Sequence, residues 1–235
     1  MPTIVFASPK GGAGKSTSAV ILATEIAARG ATVTLIDADP NRPISRWASL
    51  PGVPETLTVV ADVTEEGIID VIEDAARRSA FVIVDLEGTA SMMVGYAVST
   101  ADLVIVPTQG STLDAAEAVR AIRLVRNMEK ATRGASIPSA ILFTRTSAAI
   151  RPRSLTAIAA EFAEHGVPVI ATQMHEREAF RAVFAYGGSL ADLDRSQVSN
   201  VDAALRNARA FAAEVVGMLP AAAAADAAAP ARKVA

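Results

Sequence analysis

Short apolar runs alternate along this chain with longer stretches in which apolar residues recur every three or four positions. The runs are residues 4–7 (IVFA), 32–36 (TVTLI), 57–60 (LTVV), 81–84 (FVIV), 103–106 (LVIV) and 140–143 (AILF). Uninterrupted runs such as 81–84 and 103–106 suit strands buried on both faces, the habit of central parallel strands. The stretches 18–29, 64–79, 113–133, 154–165, 176–186 and 201–219 read as helices. In 64–79, Ile68, Ile69, Val71 and Ile72 make the apolar face. Gly30, Gly166 and Pro220 close the first, fourth and last of these stretches. Residues 167–171 are expected to add a last, edge strand, weakened by Pro168, which has no N–H to donate. Alternation of this kind predicts an α/β fold, a mainly parallel sheet with helices on both faces. Residues 1–219 show no repeat and no boundary and should form one domain. Residues 220–235, alanine-rich with Pro220 and Pro230, read as a disordered tail.

Composition removes whole classes of function. The 235 residues suffice for a full core in one α/β domain. Alanine inflates the 51% hydrophobic content, and no apolar run approaches the ~18 residues of a membrane span. The chain does not open on a basic stretch followed by an apolar one, so no secretory signal is evident and a cytoplasmic location is expected. With no cysteine there are no disulfides, thiolate metal sites or cysteine nucleophiles. A formal net charge of −3 does not suggest a polyanion binder, but the charge is uneven. Residues 120–209 hold 13 Lys and Arg against 8 Asp and Glu, an excess of +5; the remainder carries −8. Such asymmetry points either to a nucleic-acid-facing surface or to arginines solvated on amphipathic helices.

The chemistry is concentrated after the first apolar run. Ser8-Pro9-Lys10-Gly11-Gly12-Ala13-Gly14-Lys15-Ser16-Thr17 separates a strand pattern from a helical one. Strand, glycine loop and helix in that order are the context a phosphate-binding loop requires. Small residues from Gly11 to Gly14 let backbone N–H groups curl round an anion, and the helix start, through Thr17, adds the positive end of its dipole. Lys15 would reach the β- and γ-phosphates. The Ser16 hydroxyl would ligate Mg²⁺, a metal that takes few protein ligands plus substrate phosphates.

The loop departs from the common G-x-x-x-x-G-K-[ST] pattern at its first glycine, which is Pro9 here, and it carries a second lysine, Lys10. This K-G-G-x-G-K-[ST] form is the deviant Walker A motif. Through it the chain resembles the ParA/MinD family of dimerising ATPases. The resemblance implies a deviant P-loop NTPase that uses ATP and Mg²⁺. It also implies an active homodimer in which two ATP molecules lie at the interface and Lys10 crosses to the partner's phosphates.

Two more stretches fit. The second strand pattern runs into Asp37-Ala38-Asp39-Pro40, and ligands of open α/β sheets lie beyond the carboxyl ends of strands. By resemblance Asp39 orients the attacking water and Asp37 supports the outer Mg²⁺ shell, although a D-P pair is also an ordinary turn. The run 81–84 ends in Asp85, the Walker B form, an acid that holds Mg²⁺ through water. Typical ParA members continue D-x-P-P; this chain continues Leu86-Glu87-Gly88-Thr89, so the loop that senses the γ-phosphate is expected to be built differently. Glu87 would be a second carboxylate near the metal or simply exposed. Pro107 and Met174 are placed by resemblance around the purine, with Arg177 at the base or the interface. His175 invites a general-base role; a structural role is preferred because Asp39 already positions the water.

Missing parts separate the relatives that share this loop. The tail lacks the large apolar face of a membrane-inserting helix, so no membrane partner is expected. Cysteine-dependent relatives are excluded, and a helix-turn-helix ahead of the loop is not expected. What the resemblance leaves is a small ParA-type ATPase for DNA partition or cargo positioning. ATP would close the dimer and align Arg145, Arg151, Arg153, Arg181, Arg206 and Arg209 into a strip that binds DNA without sequence preference, bringing the protein to the nucleoid. A centromere-binding or cargo adaptor protein would stimulate slow hydrolysis and release the DNA. A second, looser resemblance, through residues 39–47 and 174–180, is to the VirC-type branch, ParA relatives that act in T-DNA transfer. It implies a nucleotide-gated recruitment factor that binds a specific transfer site and docks a relaxosome.

Overall fold

A computed structural model describes residues 1–88, 91–131, 136–150 and 152–219. Thr89, Arg151, Arg133 and the expected tail lie outside the described residues. Seven strands form one all-parallel sheet in the order β3-β2-β4-β1-β5-β6-β7. They are β1 (Thr3–Phe6), β2 (Val33–Ala38), β3 (Leu57–Val60), β4 (Phe81–Leu86), β5 (Leu103–Thr108), β6 (Ser139–Thr146) and β7 (Met174–His175). The chain moves outward from β1 to β2 and β3, then returns so that β4 and β5 flank β1. That reversal opens a crevice at the carboxyl end of β1, where such sheets bind their ligands.

The sheet is covered on both faces because its strands are apolar at successive positions, and the period of two sends alternate residues to opposite sides. Ile4, Phe6, Leu35, Ile83 and Ile105 pack with α1 (Lys15–Ala27), α2 (Pro43–Ala48), α7 (Glu178–Tyr186) and α8 (Val201–Met218). Val5, Ile36, Val82, Val84 and Val104 pack with α3 (Ile68–Arg78), α4 (Met92–Ser99), α5 (Thr112–Ala131) and α6 (Arg153–Glu164). On the first face, buried Trp47 of α2 donates its indole N–H to the Gly188 carbonyl at 3.0 Å. The neighbouring Gly187 has φ +84°, and a Cβ there would lie 2.5 Å from the Pro51 carbonyl oxygen, so the turn after α2 and the exit of α7 pass close, backbone to backbone.

Four elements differ from expectation. Residues 167–171 form no strand beyond a single bridge between Val169 and Ile141. The N–H groups of Ala171 and Thr172 are instead taken by the Glu214 carboxylate of α8, at 2.6 and 2.8 Å, and the edge strand forms at Met174–His175. The helix expected over 64–79 begins at Ile68, because Thr64 closes a turn onto Gly67 first. Helices α2 and α4 were not foreseen. The first is six residues long, and the second is apolar at nearly every position, so neither shows a helical period.

Candidate functional site

The phosphate loop follows from local backbone needs. Gly12 and Gly14 adopt φ of +76° and +93°, where a side chain is strained. A Cβ on Gly14 would also meet Thr144 at 3.3 Å, while the Thr144 hydroxyl donates to the Ala13 carbonyl at 2.7 Å and ties the loop to β6. Helix α1 starts at Lys15 with glycine as its N-cap, no side-chain cap and no acid in its first turn. The N–H groups at its start are therefore left for an anion. Lys15 is buried, its ammonium turned onto the carbonyls of Ser8 and Lys10 at 3.4 and 3.5 Å. Burial lowers its pKa, against the opposing pull of Asp85, Asp39 and Glu87.

Two carboxylates lie side by side. Asp37 and Asp85 are register partners on adjacent strands β2 and β4. Asp85 is fully buried, neither of its oxygens has a hydrogen-bond partner, and Asp37 Oδ1 also lacks one. Burial raises the Asp85 pKa to about 7; the Ser16 hydroxyl and the Lys15 charge act the other way without closing a bond of good geometry. Asp37 gives its other oxygen, Oδ2, to the N–H and hydroxyl of Ser45 in α2, at 2.7 and 2.6 Å. Buried oxygens without partners are costly unless a ligand supplies one. Three of them, with the Ser16 hydroxyl beside Asp85, suit a cation. That combination fits Mg²⁺, whose remaining ligands would be phosphate oxygens and water.

Asp39 is half-buried and accepts from the N–H and side-chain amide of Asn41, at 2.8 and 3.0 Å, in a turn of the Asx kind. Asp37, Asp39, Asp62, Glu65 and Glu87 line a cleft of about 340 Å³ with Arg42. Glu87 thus sits half-buried beside the carboxylates. Sequence reasoning missed Gly88: a Cβ there would lie 3.1 Å from the Gly11 nitrogen, so the loop after β4 rests directly on the phosphate loop. A lone glycine after an acid gave no signal of this. Lys10 turns its side chain to Asp114 in the first turn of α5.

The second cavity, about 60 Å³, is lined by Gly14, Thr17, Ser18, Thr144, Arg145, Met174, His175, Glu176, Arg177, Phe180 and Arg181. Met174 is buried there, and Arg177 Nε is a buried donor without a partner. Pro107 lies buried within β5, opposite Leu142 of β6, and is not among the lining residues. His175 has the partner the sequence did not show: Nδ1 lies 2.9 Å from the Thr146 hydroxyl, and burial lowers its pKa, with Arg177 adding to the effect. Asn207 of α8 braces the strand, accepting from the His175 N–H at 3.1 Å and donating to the Gln173 carbonyl at 2.8 Å.

The arginines expected on DNA scatter. Arg145 lines the small cavity with a left-handed φ of +52°. Arg153 opens α6 on one face of the sheet, whereas Arg181, Arg206 and Arg209 lie on α7 and α8 across it. Arg181 is paired with Glu176 and Glu178 at 2.8 and 2.9 Å, and Arg209 lies 3.8 Å from Glu25. Arg206 is exposed, and Arg151 lies outside the described residues.

Fold and site together define a deviant P-loop nucleotide-binding protein of the ParA/MinD class. More narrowly, the chain belongs to the VirC1 family, whose model (VirC1 protein) matches residues 1–224. It is 45% identical over 212 residues to the protein ParA of Rhizobium radiobacter, covering 90% of this chain and 95% of that one. It is 30% identical over 188 residues to protein virC1 of Rhizobium rhizogenes, covering 78% and 80%. Among solved structures, a Cyanothece McdA variant in complex with ATP shares the fold at TM-score 0.69 and 17% identity, covering 92% of this chain and 96% of that one.

Proposed function

We propose that this chain is a ParA-type ATPase that uses an ATP-dependent dimer to hold DNA and to partition or position a cargo. The observation that carries the reading is the trio of partnerless buried carboxylate oxygens, two on Asp85 and one on Asp37, facing an uncapped α1 with Lys15 and Ser16. ATP with Mg²⁺ supplies a triphosphate activated for transfer to water. Ser16, Asp37 and Asp85 would hold the metal, Lys15 and the Gly11–Thr17 backbone the phosphates, and Met174 and Arg177 the base. Asp39 orients the water, held in place by Asn41.

Dimer closure has its own support. Met92, Leu113 and Ile150 are 60, 80 and 68% exposed, and all follow the carboxyl ends of strands, on the side where the nucleotide would sit. A second copy is the occupant that covers them and brings a second Lys10. The arginines on opposite faces of one chain then meet DNA only through both copies. Binding should be sequence-blind and fall steeply with salt. A centromere-binding or cargo adaptor would accelerate hydrolysis.

The test is DNA binding by purified protein without nucleotide, with ADP, and with ATP plus Mg²⁺, on two unrelated duplexes across a salt series. ATP-dependent binding to both duplexes is expected; binding indifferent to nucleotide would sink the switch. The VirC1 family match over residues 1–224 favours a second reading, a nucleotide-gated recruitment factor at a DNA transfer site. ATP-dependent binding to only one duplex, carrying a transfer origin, would select it.

A further inference from the structure

Lys10 has a partner within its own chain. Its ammonium is ion-paired with Asp114 Oδ1; the lysine side chain is 47% exposed and the aspartate only 5%. Asp114 is fixed before Lys10 meets it. The Ser111 hydroxyl donates to Oδ2 at 2.6 Å, the Asp114 N–H donates back to Ser111 Oγ at 3.2 Å, and the Thr108 hydroxyl donates to the Asp114 carbonyl at 3.0 Å. Thr108 ends β5, so the main chain of Asp114 is tied to the sheet and Ser111 fixes its carboxylate. Burial alone would raise the Asp114 pKa, but hydrogen bonds from Lys10 and Ser111 outweigh it and hold the group ionised. The main chain of Lys10 faces the other way, its carbonyl accepting from Lys15 Nζ. One residue thus belongs to the phosphate loop by its backbone and to α5 by its charge.

We propose that Asp114 is a positioning residue that parks Lys10 in its own subunit, so that the lysine reaches a second copy's nucleotide only when the Lys10–Asp114 pair opens. The inference rests on the dimer reading above. A phosphate across an interface competes with Asp114 for the charge of this one ammonium. A triphosphate offers more negative charge than one carboxylate, and its γ-phosphate is what a diphosphate lacks, so the exchange separates the two nucleotide states. Leu113, on the same helical turn, is the exposed residue a second copy would cover, so opening the pair and closing the dimer happen at one surface. Because Lys10 is half exposed, the pair is a modest restraint that delays closure without preventing it.

Dimerisation of the full chain with AMPPNP and Mg²⁺, followed by sedimentation across a protein series, tests this. Asp114→Asn should dimerise about three- to tenfold more tightly than wild type and stay monomeric with ADP. Asp114→Glu, which keeps the charge, should behave as wild type, and Asp114→Asn should bring no gain on a Lys10→Ala background. An Asp114→Asn variant that melts like wild type and dimerises no better would overturn the proposal. A readout free of that variant is the resonance of ¹³C-dimethylated Lys10 in the wild type, one of four lysines in the chain. It should be alike in nucleotide-free and ADP-bound protein and move with AMPPNP; the same signal in all three states would also overturn it. If wild type stays monomeric with AMPPNP the dimer reading itself fails. The nucleotide-free Lys10 signal then still reports the pair, since Ser111→Ala should shift it if Asp114 holds the lysine and leave it unmoved if not.

Discussion

The two ends of the nucleotide cleft are built on opposite rules. At the phosphate end, Asp85 and Asp37 bury oxygens with nothing to accept from. In the cavity beside Met174, the described polar groups are largely satisfied already: His175 by Thr146, and the strand around it by Asn207. Arg177 Nε is the exception there. The difference separates a scaffold from a socket. Satisfied groups fix shape whether or not a ligand comes, whereas unsatisfied ones destabilise the empty protein and are repaid on binding.

The sharpest way to break this contrast is at Asp85. Its folded pKa of about 7 stands above the ~3.9 of an unfolded aspartate, so protonation favours the folded state. In the absence of Mg²⁺ and nucleotide, that contribution is complete below about pH 4 and is lost as pH rises through 7, up to about 4 kcal/mol in all. Asp85→Asn should remove this dependence, so its denaturation midpoint should overtake that of wild type between pH 5 and pH 8. Parallel pH profiles for the two proteins would show that Asp85 carries no such cost.

Lys15→Ala comes next. It removes a buried ammonium from the phosphate loop, and ATP affinity by calorimetry should fall at least about thirtyfold with the fold intact. Gly88→Ala sharpens the comparison further, since its Cβ would press on Gly11. ATP binding should weaken about three- to tenfold for about 1 kcal/mol of stability. Gly95→Ala, within α4, is the control: its Cβ would meet only Met128 of α5, at an ordinary 3.6 Å, and helix propensity should make it neutral or slightly stabilising. The smallest effect is on DNA. Arg206→Ala should lower the log–log salt slope of binding by about one, and Arg181→Ala by less, because Glu176 and Glu178 already neutralise Arg181.

The same contrast explains what could be read from residues alone. The phosphate end is local: a loop, two strand ends and a helix start lie in short contiguous motifs, and their apolar runs gave β1, β2, β4 and β5 together with the parallel sheet. Elsewhere the deciding contacts come from far along the chain. Glu214 takes the N–H groups of Ala171 and Thr172, where the strand expected over 167–171 would have continued, and Asn207 positions the strand that formed instead. Gly88 matters because of Gly11, and Asp114 because of Lys10, pairings that no spacing reveals. Positive charge in 120–209 was visible as a sum, but a sum says nothing of which arginines share a face.

Asp37 is divided between two tasks, one oxygen held by Ser45 in the first turn of α2 and the other buried and left open for a ligand. The direction of the open oxygen is therefore set by where α2 lies, and α2 is pinned from behind by Trp47 on Gly188 and by the close pass of Gly187 over Pro51. A genetic screen for loss of metal-dependent activity should accordingly return hits at Trp47 and Gly187, residues that line no part of the acidic cleft, alongside the motif positions.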